Sequence, residues 1–420
     1  MTYQEALEFI DSLSFRGSQL GLSRVTELLH RMGDPQKELS CIHVAGTNGK
    51  GSTSALLSDA LTACGYRTGL FVSPHIERIN ERIQLNGCCI SDDDFANLVE
   101  EIAPFVLGME PRPTVFETVT AMAFWYFAQQ KTDVVVLEVG LGGRLDATNV
   151  IDKSLLSVIT AIDLDHTHIL GTTVEEIAGE KAGIIKENGT VLFYGTHPDA
   201  TRVIEARARE CHADFHVLNM DGVEPLSVDL YGQTFRFEGE TVRLKLLGSY
   251  QPYNASLALT AIRLLREKGF RLPNEMVLSA FSETHWMARF EILCENPPLI
   301  VDGGHNPHGV RATVESYRRL FGERKAVVVF GVMQDKDVET VIRLLMPIAK
   351  TFYAVAPNVV RAMPQDALKT LLESCGAEAK AFSSVSEGVE EARKTGEIVL
   401  AVGSLYMAGE IRSAFSGKKV

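Results

Sequence analysis

The sequence predicts an α/β protein of two parallel-sheet domains, for three reasons. Short apolar strands alternate with helical segments in two successive blocks, a pattern typical of parallel sheets with helices on both faces. The chain has 420 residues and is 45 % hydrophobic, so it can bury two cores. The blocks meet at a Pro-Pro sequence, so we expect a first domain over residues 1–294, a linker at about 295–298 and a second domain over residues 299–420.

The first block opens with two amphipathic helices, and a third helix follows a glycine-rich turn and ends at Gly65, a residue suited to a left-handed cap. Its strand Val134–Val139 is apolar throughout, as strands buried on both faces are. The predicted helices are Tyr3–Leu13, Ser23–Met32 and Thr53–Cys64. The predicted strands are Cys41–Ala45, one ending at Val72, Val134–Val139 and Leu156–Ile162.

The second block repeats this order of strand and helix. Its predicted strands are Leu299–Val301, Ala326–Phe330, Tyr353–Ala356 and Ile398–Val402. Ligands of parallel sheets bind at the carboxyl ends of the strands. Most of the chemically unusual residues of this chain follow such strand ends, so we expect the functional site there.

Composition and charge exclude several classes of protein. There are 41 Lys and Arg against 54 Asp and Glu, a formal charge of −13, which argues against a nucleic-acid partner. No apolar run approaches the ~18 residues of a membrane span, and the N-terminal residues do not resemble a signal peptide. Seven scattered cysteines without a C-x-x-C pair indicate free thiols rather than disulfides or zinc. We therefore expect a cytoplasmic protein that acts on small molecules, away from membranes.

The strongest motif is a glycine-rich loop between a strand and a helix, Gly46-Thr47-Asn48-Gly49-Lys50-Gly51-Ser52. Backbone N–H groups of such a loop can bind phosphate oxygens, with the helix N-terminus adding partial positive charge. Lys50 would reach the outer phosphates, and Ser52 could bind Mg²⁺. The strict Walker spacing is not met, because Val44 replaces the first glycine and Gly51 separates Lys50 from Ser52. We interpret the loop as a phosphate site rather than a simple turn.

This loop resembles the nucleotide loop of the ATP-dependent Mur ligase superfamily, in particular of the folylpolyglutamate synthase/dihydrofolate synthase family. Other family-like segments follow in the right order, and the resemblance extends from Gly21 to Tyr406. It implies a P-loop-containing parallel-sheet ATPase domain followed by a smaller Rossmann-like α/β domain, with ATP and Mg²⁺ as cofactors.

The resemblance also implies a set of magnesium ligands. Ser73 and Glu138 follow or end predicted strands, and His166 lies in the segment Asp163-Leu164-Asp165-His166-Thr167-His168 after a third strand. Carboxylate, hydroxyl and phosphate oxygens are suitable ligands for Mg²⁺. A single histidine is often only a hydrogen-bonded structural residue. The family pattern nevertheless implies Ser73, Glu138 and His166 as ligands, together with Ser52 of the loop.

Lys181 lies on the apolar face of a helix that a capping box starts at Thr173. On spacing alone its ammonium could reach water along the side chain. A desolvated lysine would instead have a lowered pKa. The segment Glu180–Lys186 resembles that of the family, in which this lysine is carbamylated and supports a second magnesium ion. The resemblance thus implies Lys181 as a metal ligand, if it is carbamylated, and as a catalytic residue.

The remaining ATP-site residues are also implied by the resemblance. Asn254 lies in a nucleotide-contacting segment, although it could merely cap a helix. Arg289 occurs in W-M-A-R, where the family usually has W-P-G-R. The sequence D-G-G-H-N-P contains Asp302 and His305. The predicted ATP-binding residues are Thr47, Asn48, Gly49, Lys50, Gly51, Ser52, Asn254, Arg289 and Asp302. The predicted catalytic residues are Lys50, Lys181 and His305.

Two further segments match those that hold the pterin-bearing substrate in relatives. The predicted folate or pteroate residues are Thr114, Val115, Phe116, Glu117, Leu145, Asp146 and Ala147. Ser18-Gln19-Leu20 matches more loosely, and the basic residues His75, Arg78 and Arg82 either meet a folate tail or are simply solvated. The nearby Gly140-x-Gly142-Gly143 lacks the third glycine of a dinucleotide fingerprint, so we reject NAD binding.

The implied activity is that of an ATP-dependent amide ligase. A folate or pteroate carboxylate would attack the γ-phosphate to form an acyl phosphate, and the amine of L-glutamate would then displace phosphate. Use of dihydropteroate as a second acceptor stays open. One alternative, a cell-wall amino-acid ligase of the superfamily, is disfavoured because those ligases carry an additional N-terminal domain before the loop. A nucleotide-hydrolysing switch protein would not need D-G-G-H-N-P. The resemblance also implies a monomer.

Overall fold

The computed structural model describes residues 1–16 and 21–415; Ser18-Gln19-Leu20 lies outside these ranges. The chain divides into two compact units whose ranges differ from the predicted domains. The first unit comprises Met1–His75, Ile79–Val223 and Tyr253–Phe281. The second comprises Ile76–Arg78, Glu224–Pro252 and Ser282–Val420.

The first unit is built on an eight-stranded sheet of order β4-β3-β2-β5-β1-β6-β7-β8. Its strands are β1 Cys41–Ala45, β2 Thr68–Phe71, β3 Ile83–Leu85, β4 Cys88–Cys89, β5 Val134–Glu138, β6 Leu156–Ile159, β7 Thr190–Phe193 and β8 Asp214–Val217. The six strands from β2 to β8 in the sheet pair in parallel, and only β3 and β4 are antiparallel. The carboxyl ends of β1, β5 and β6 therefore lie side by side at one edge, where the predicted site residues follow.

The second unit contains two sheets. The three-stranded sheet consists of β9 Val223–Asp229, β10 Gly232–Phe237 and β11 Glu240–Leu244. The six-stranded sheet consists of β12 Glu291–Glu295, β13 Pro298–Asp302, β14 Ala326–Phe330, β15 Ala349–Ala354, β16 Ala379–Ala381 and β17 Ile398–Val402, in the order β12-β13-β17-β14-β15-β16. The residues expected as a linker, 295–298, form the turn of the antiparallel pair β12–β13, because Glu295 pairs with Pro298.

Helices cover the sheets, as expected for an α/β fold. They are α1 Tyr3–Ser12, α2 Ser23–Arg31, α3 Lys50–Ala63, α4 Asp92–Leu107, α5 Val115–Gln129, α6 Thr167–Leu170, α7 Val174–Ala182, α8 Pro198–Glu210, α9 Gln251–Glu267, α10 Asn274–Glu283, α11 Pro307–Phe321, α12 Val338–Leu345, α13 Gln365–Ser374, α14 Val385–Lys394 and α15 Leu405–Phe415. Short 3-10 turns lie at Leu13–Arg16, Pro35–Glu38, Ile79–Arg82, Ala147–Val150 and Met220–Gly222.

The α/β fold class is confirmed, and three predicted strands have the bounds that the sequence indicated, β1, β14 and β17. The other predicted elements differ at one or both ends, and two of them begin three or four residues earlier than expected. The helix expected from Thr53 begins at Lys50, because Gly49 turns the backbone at φ +92° directly into it. The strand expected at Tyr353 begins at Ala349. Lys350 and Thr351 hide its apolar pattern, but Ala349 and Thr351 pair with β14.

Apolar residues of the strands and the helix faces fill the cores, and strands such as β1, β5, β14 and β17 are buried along their whole length. Each of the seven cysteines is a free thiol, as predicted. Within residues 1–16 and 21–415, none of the helices combines the length and the apolar character that crossing a membrane requires.

Candidate active site

The phosphate loop connects the carboxyl end of β1 to the first turn of α3, as predicted. Gly49 is held at φ +92°, and a Cβ there would lie 2.6 Å from the Oδ1 atom of Asn254. A Cβ at Gly46 would lie 1.8 Å from the Oγ1 atom of Thr160. Only glycine permits these approaches, since a real Cβ would force the neighbouring atoms apart. The side chain of Asn254 thus lies directly against the loop.

The loop is fixed to the residues that follow the neighbouring strand β6. The Thr47 and Asn48 amides donate to the Ala161 carbonyl at 2.8 and 3.3 Å. The Thr47 hydroxyl donates to the Asp163 carbonyl at 3.0 Å, and the Thr160 hydroxyl donates to the Asn48 carbonyl at 2.7 Å. These bonds satisfy loop carbonyls and amides on one side of the loop and connect it to the residues after β6.

Lys50 occupies the first position of α3, and its side chain curls back over the loop. Its Nζ atom donates to the Gly46 carbonyl at 3.0 Å and to the Thr47 carbonyl at 3.3 Å. The cation is therefore held over the loop backbone at the positive end of the helix. Ser52, in the same turn, is buried.

Lys181 is buried, with 3 % of its surface exposed, so it does not reach water along its side chain. Its Nζ atom donates to the Gly46 carbonyl at 2.9 Å, the same carbonyl that accepts from Lys50. Burial lowers the pKa of the Lys181 amine to about 7, and the nearby charge of Lys50 lowers this pKa further.

Two of the predicted metal ligands are adjacent. Glu138 ends β5, is only 4 % exposed, and its carboxylate accepts a hydrogen bond from the Ser73 amide at 3.3 Å. His166 lies two strands away in the sheet, after β6, and has a left-handed backbone with φ +49°. Its amide donates to the Asp165 carboxylate at 2.8 Å. The structure thus places all three predicted ligands at the ends of strands along one sheet edge and brings Ser73 and Glu138 into contact.

The segment after β5, residues 140–144, packs against the end of α7. The Arg144 amide donates to the Glu180 carbonyl at 2.8 Å, and the Arg144 guanidinium forms an ion pair with the Glu180 carboxylate at 2.7 Å. This contact connects the segment to the helix turn that carries Lys181.

Asp146 belongs to a buried hydrogen-bond chain that sequence reasoning did not predict. Its carboxylate accepts from the Leu141 amide at 2.8 Å and from the Thr148 hydroxyl at 2.5 Å. The Thr148 oxygen lies 2.9 Å from the Nε2 atom of His43 on β1. Because the Thr148 proton points to Asp146, His43 must donate from Nε2. Burial raises the pKa of Asp146 and lowers that of His43 to about 3.

The predicted acceptor-binding residues at the start of α5 have clear structural partners. Thr114 and Glu117 form a capping box, and the Glu117 carboxylate is paired with Arg24 at 2.9 Å. Phe116 is half-buried, and a Cβ at Gly140 would lie 2.5 Å from its ring. Phe116 thus covers the backbone just after β5. Val115 is half-buried beside it, and Leu145 and Ala147 flank Asp146.

In the second unit, the Asp302 carboxylate accepts hydrogen bonds from two backbone amides, from a threonine of α11 and from a tyrosine. Its carboxylate accepts from the Phe290 amide at 2.7 Å, the Gly304 amide at 2.8 Å, the Thr313 hydroxyl at 2.7 Å and the Tyr250 hydroxyl at 3.3 Å. Burial raises the pKa of Tyr250 well above its ordinary value, and the Asp302 charge adds to this. These four hydrogen bonds therefore fix the backbone and the side chains around Asp302.

Arg289 precedes Asp302 in the sequence, and His305 follows it. Ala288, which replaces the usual family glycine before Arg289, has φ +55°, a left-handed conformation that glycine adopts more easily. Ala288 thus has a backbone conformation that would suit a glycine. The Nδ1 atom of His305 lies 2.8 Å from the Gly303 carbonyl. A carbonyl only accepts, so Nδ1 carries a proton.

Several pairings between residues could not have been identified from local patterns. Arg24 and Glu117 are 93 residues apart, and no spacing rule pairs them. His43 did carry a signal, because it is a polar residue within the buried strand β1. His75 and Arg82 are brought together, since the Arg82 Nε atom donates to the His75 Nδ1 atom at 2.9 Å. Burial lowers the pKa of His75 to about 4, so this imidazole is neutral.

Comparison with protein families gives two matches. Residues 44–262 match the Mur ligase middle domain, and residues 288–405 match the glutamate ligase domain of Mur ligases. The dihydrofolate synthase/folylpolyglutamate synthase of Bacillus subtilis is 38 % identical, with 98 % of each chain covered. The folylpolyglutamate synthase of Lacticaseibacillus casei is 32 % identical, with 100 % of each chain covered.

Solved structures agree with these matches over nearly the whole chain. Mycobacterium tuberculosis folylpolyglutamate synthase, complexed with ADP and AMPPCP, has a TM-score of 0.90 and 29 % identity, with 98 % of this chain and 99 % of that chain covered. Escherichia coli FolC, in complex with DHPP and ADP, has a TM-score of 0.87 and 30 % identity, with 99 % and 98 % covered. The chain belongs to the folylpolyglutamate synthase/dihydrofolate synthase family of the Mur ligases.

Proposed function

We propose that this protein is an ATP-dependent amide ligase that adds L-glutamate to the carboxylate of a folate. The observation that carries the proposal is the phosphate loop with both Lys50 and Lys181 bonded to the Gly46 carbonyl, in a chain of this family. Two lysines beside a loop of backbone amides suit a nucleotide whose terminal phosphate is transferred. The ADP and AMPPCP complexes of relatives support ATP as the nucleotide.

The reaction divides into two group transfers. A folate carboxylate oxygen attacks the γ-phosphorus of ATP, the bond to ADP breaks, and an acyl phosphate forms. The amine of glutamate then attacks the acyl carbon, loses a proton and releases phosphate. Lys50 and the amides of the loop stabilise the charge on the transferred phosphoryl group. Phe116, the loop after β5 and Asp146 orient the acceptor, because they form one packed and hydrogen-bonded group beside the strand ends.

Magnesium fits the donor chemistry of this edge of the sheet. Glu138 is a carboxylate with 4 % exposure at a strand end, a position that favours a cation partner. In the described parts of the chain, no three His, Cys, Asp or Glu side chains converge, so a metal there would need hydroxyl and phosphate oxygens as well. The residues proposed to hold Mg²⁺ are Ser52, Ser73, Glu138, His166 and, if carbamylated, Lys181. Bound magnesium would neutralise phosphate charge.

Carbamylation of Lys181 is a separate proposal. A neutral amine is the form that reacts with carbon dioxide, and a pKa of about 7 makes that form abundant at physiological pH. The product is an anion that would suit a neighbouring cation. Carbon-13 NMR in labelled bicarbonate should give one carbamate signal in the wild type and none in Lys181→Met. An unmodified lysine in the nucleotide-bound enzyme would contradict the proposal.

In the second unit, Arg289, Asp302 and His305 are proposed to serve the nucleotide and the incoming glutamate. The four hydrogen bonds to Asp302 make it a rigid anchor, because two of them come from the backbone amides next to Arg289 and His305. With a proton on Nδ1, a neutral His305 has its lone pair on Nε2. It can therefore accept a proton there, as release of the amine proton of glutamate requires.

Phosphate release provides the test of the function. We expect release from ATP only when a folate monoglutamate and L-glutamate are both present, with mass spectrometry showing one added glutamate residue. Release with dihydropteroate in place of folate would assign the second acceptor. A requirement for a cell-wall precursor instead of folate would favour the alternative Mur ligase. Release that needs no acceptor would favour a switch protein.

A further inference from the structure

A surface cavity of about 510 Å³ lies between α11 and α12 in the second unit. Four arginines surround it, three of them exposed and Arg319 half-buried. The apolar side chains of Val314, Leu344 and Pro347 lie among them. The lining arginines are Arg311, Arg318, Arg319 and Arg343. None belongs to the site described above.

These four guanidinium groups have no hydrogen bond or ion pair within residues 1–16 and 21–415. Arg412 of the same unit shows the usual arrangement, because it pairs with both Glu77 and Glu291. The cavity has one acidic side chain, Glu315, so its local charge is four minus one, or +3. Guanidinium groups stay charged at any physiological pH. This local excess of positive charge contrasts with the net charge of −13 of the whole chain.

Two of the positive charges, Arg311 and Arg318, lie along one face of α11. Arg311, Val314, Glu315 and Arg318 recur every three or four residues, so they share one face of α11. Arg318 is seven positions after Arg311, which is about 10 Å along the helix axis. Arg343 faces this strip from α12. The cavity therefore offers charges at intervals with apolar surface between them, which suits an extended chain better than a single compact anion.

We propose that this cavity binds an oligo-γ-glutamate chain, whose carboxylates alternate with short methylene segments. This rests on the proposed function, in which each turnover adds one more such unit. Arginine binds carboxylates through two parallel hydrogen bonds, and the methylene groups can cover Val314 and Leu344. A nucleic acid is a poorer occupant, because the net charge of the protein repels a long polyanion. The site retains products that carry several glutamates.

Calorimetry with free tetra-γ-glutamate tests the binding itself, without ATP or turnover. We expect the affinity of Arg318→Gln/Arg343→Gln to be at least ~10-fold weaker, since each lost arginine removes a charge-assisted bond. Arg209→Gln on α8, which loses only an exposed pair with Glu205, is the matched control and should bind like the wild type. Equal binding by wild type and the double variant overturns the proposal. So does tripolyphosphate binding as tightly as tetra-γ-glutamate, because the site would then select charge alone.

Turnover separates this proposal from the proposed function. The double variant should keep the kcat and KM of the wild type for a folate monoglutamate but show a raised KM for a folate that already carries four glutamates. An unchanged KM for the longer substrate overturns the assignment even if ligation is confirmed. If no ligation is found while arginine-dependent tetra-γ-glutamate binding persists, the proposed function fails and the cavity remains an oligocarboxylate site.

Discussion

The Nζ atom of Lys181 donates a hydrogen bond of 2.9 Å to the carbonyl of Gly46, the first glycine of the phosphate loop. Lys50 donates to the same oxygen at 3.0 Å. Two ammonium groups so close would repel each other, and burial disfavours the charge of Lys181 most strongly. The pair is best accommodated with Lys50 charged and Lys181 neutral. This assignment gives different chemistry to the two lysines that share the Gly46 carbonyl.

A neutral Lys181 predicts a specific dependence of stability on pH. Its pKa falls from 10.5 in the unfolded chain to about 7 in the folded one, so between these values the unfolded state binds more protons. The free energy of unfolding should therefore rise with pH across this window, by about 1.4 kcal/mol per unit from this residue. Urea titrations in carbonate-free buffer at pH 7 and pH 9 measure it. Lys181→Met should lose that difference; an equal rise in both proteins would contradict the prediction.

Loss of Lys50 should impair phosphoryl transfer more than ATP binding. In Lys50→Ala we expect kcat to fall by ~100-fold or more, because a cation held over the loop stabilises developing charge. Lys153→Ala, which removes an exposed lysine, is the control and should keep wild-type kcat. Steady-state kinetics with ATP as the varied substrate decide between the outcomes. A raised KM with unchanged kcat would mean that Lys50 contributes to ground-state binding only.

Removal of the Glu138 charge should change the magnesium requirement. Glu138→Gln keeps the shape of this buried side chain, so we expect the variant to fold. It loses the negative charge that would bind a cation. We expect the magnesium concentration for half-maximal turnover to rise by about 10-fold or more. Thermal unfolding serves as the check that the variant is folded. Identical magnesium curves for variant and wild type would rule out Glu138 as a ligand.

The chain from Asp146 through Thr148 to His43 should contribute measurably to stability. Thr148→Val removes a hydroxyl that bonds to both neighbours and should cost about 1–3 kcal/mol. Thr120→Val, which loses one bond to a backbone carbonyl, is a matched buried control and should cost less.

The same chain predicts acid sensitivity. His43 has a folded pKa of about 3 against 6.5 unfolded, so its contribution is complete above pH 6.5 and is lost as the pH falls towards 3. In His43→Gln, the side-chain amide can still donate a hydrogen bond to Thr148, but it does not take up a proton in this pH range. Urea titrations at pH 7 and pH 4.5 should show a smaller loss of stability in the variant, and an equal loss would contradict a neutral His43.

A methyl group at Gly140 should displace the ring of Phe116 and thereby weaken acceptor binding. The added Cβ would lie 2.5 Å from the ring, so the ring must move. In Gly140→Ala we expect the KM for folate to rise by about 10-fold with little change in the KM for ATP. Gly179→Ala, where a Cβ meets nothing within 4 Å, should keep wild-type kinetics. Equal KM values for Gly140→Ala and wild type would exclude Phe116 from the acceptor site.

The sequence by itself determined the α/β class, the phosphate loop and the family. Apolar strands such as β1, β14 and β17 are buried along their whole length, so their local pattern is sufficient to locate them. The loop could be identified because its glycines permit a backbone that other residues cannot adopt. The apolar helix face around Lys181 left two outcomes open, an ammonium in water or a desolvated amine, and the 3 % exposure of this residue in the structure favours the second.

Only the tertiary structure decided which distant groups meet. The shared Gly46 carbonyl of Lys50 and Lys181, the pair of Arg24 with Glu117 and the bond of His43 to Thr148 join residues up to 135 positions apart. Parallel strands return to one edge only after long crossovers, so such neighbours share no local spacing. The pKa of Lys181 likewise depends on the desolvation and charge that the assembled sheet edge imposes, which no single segment carries.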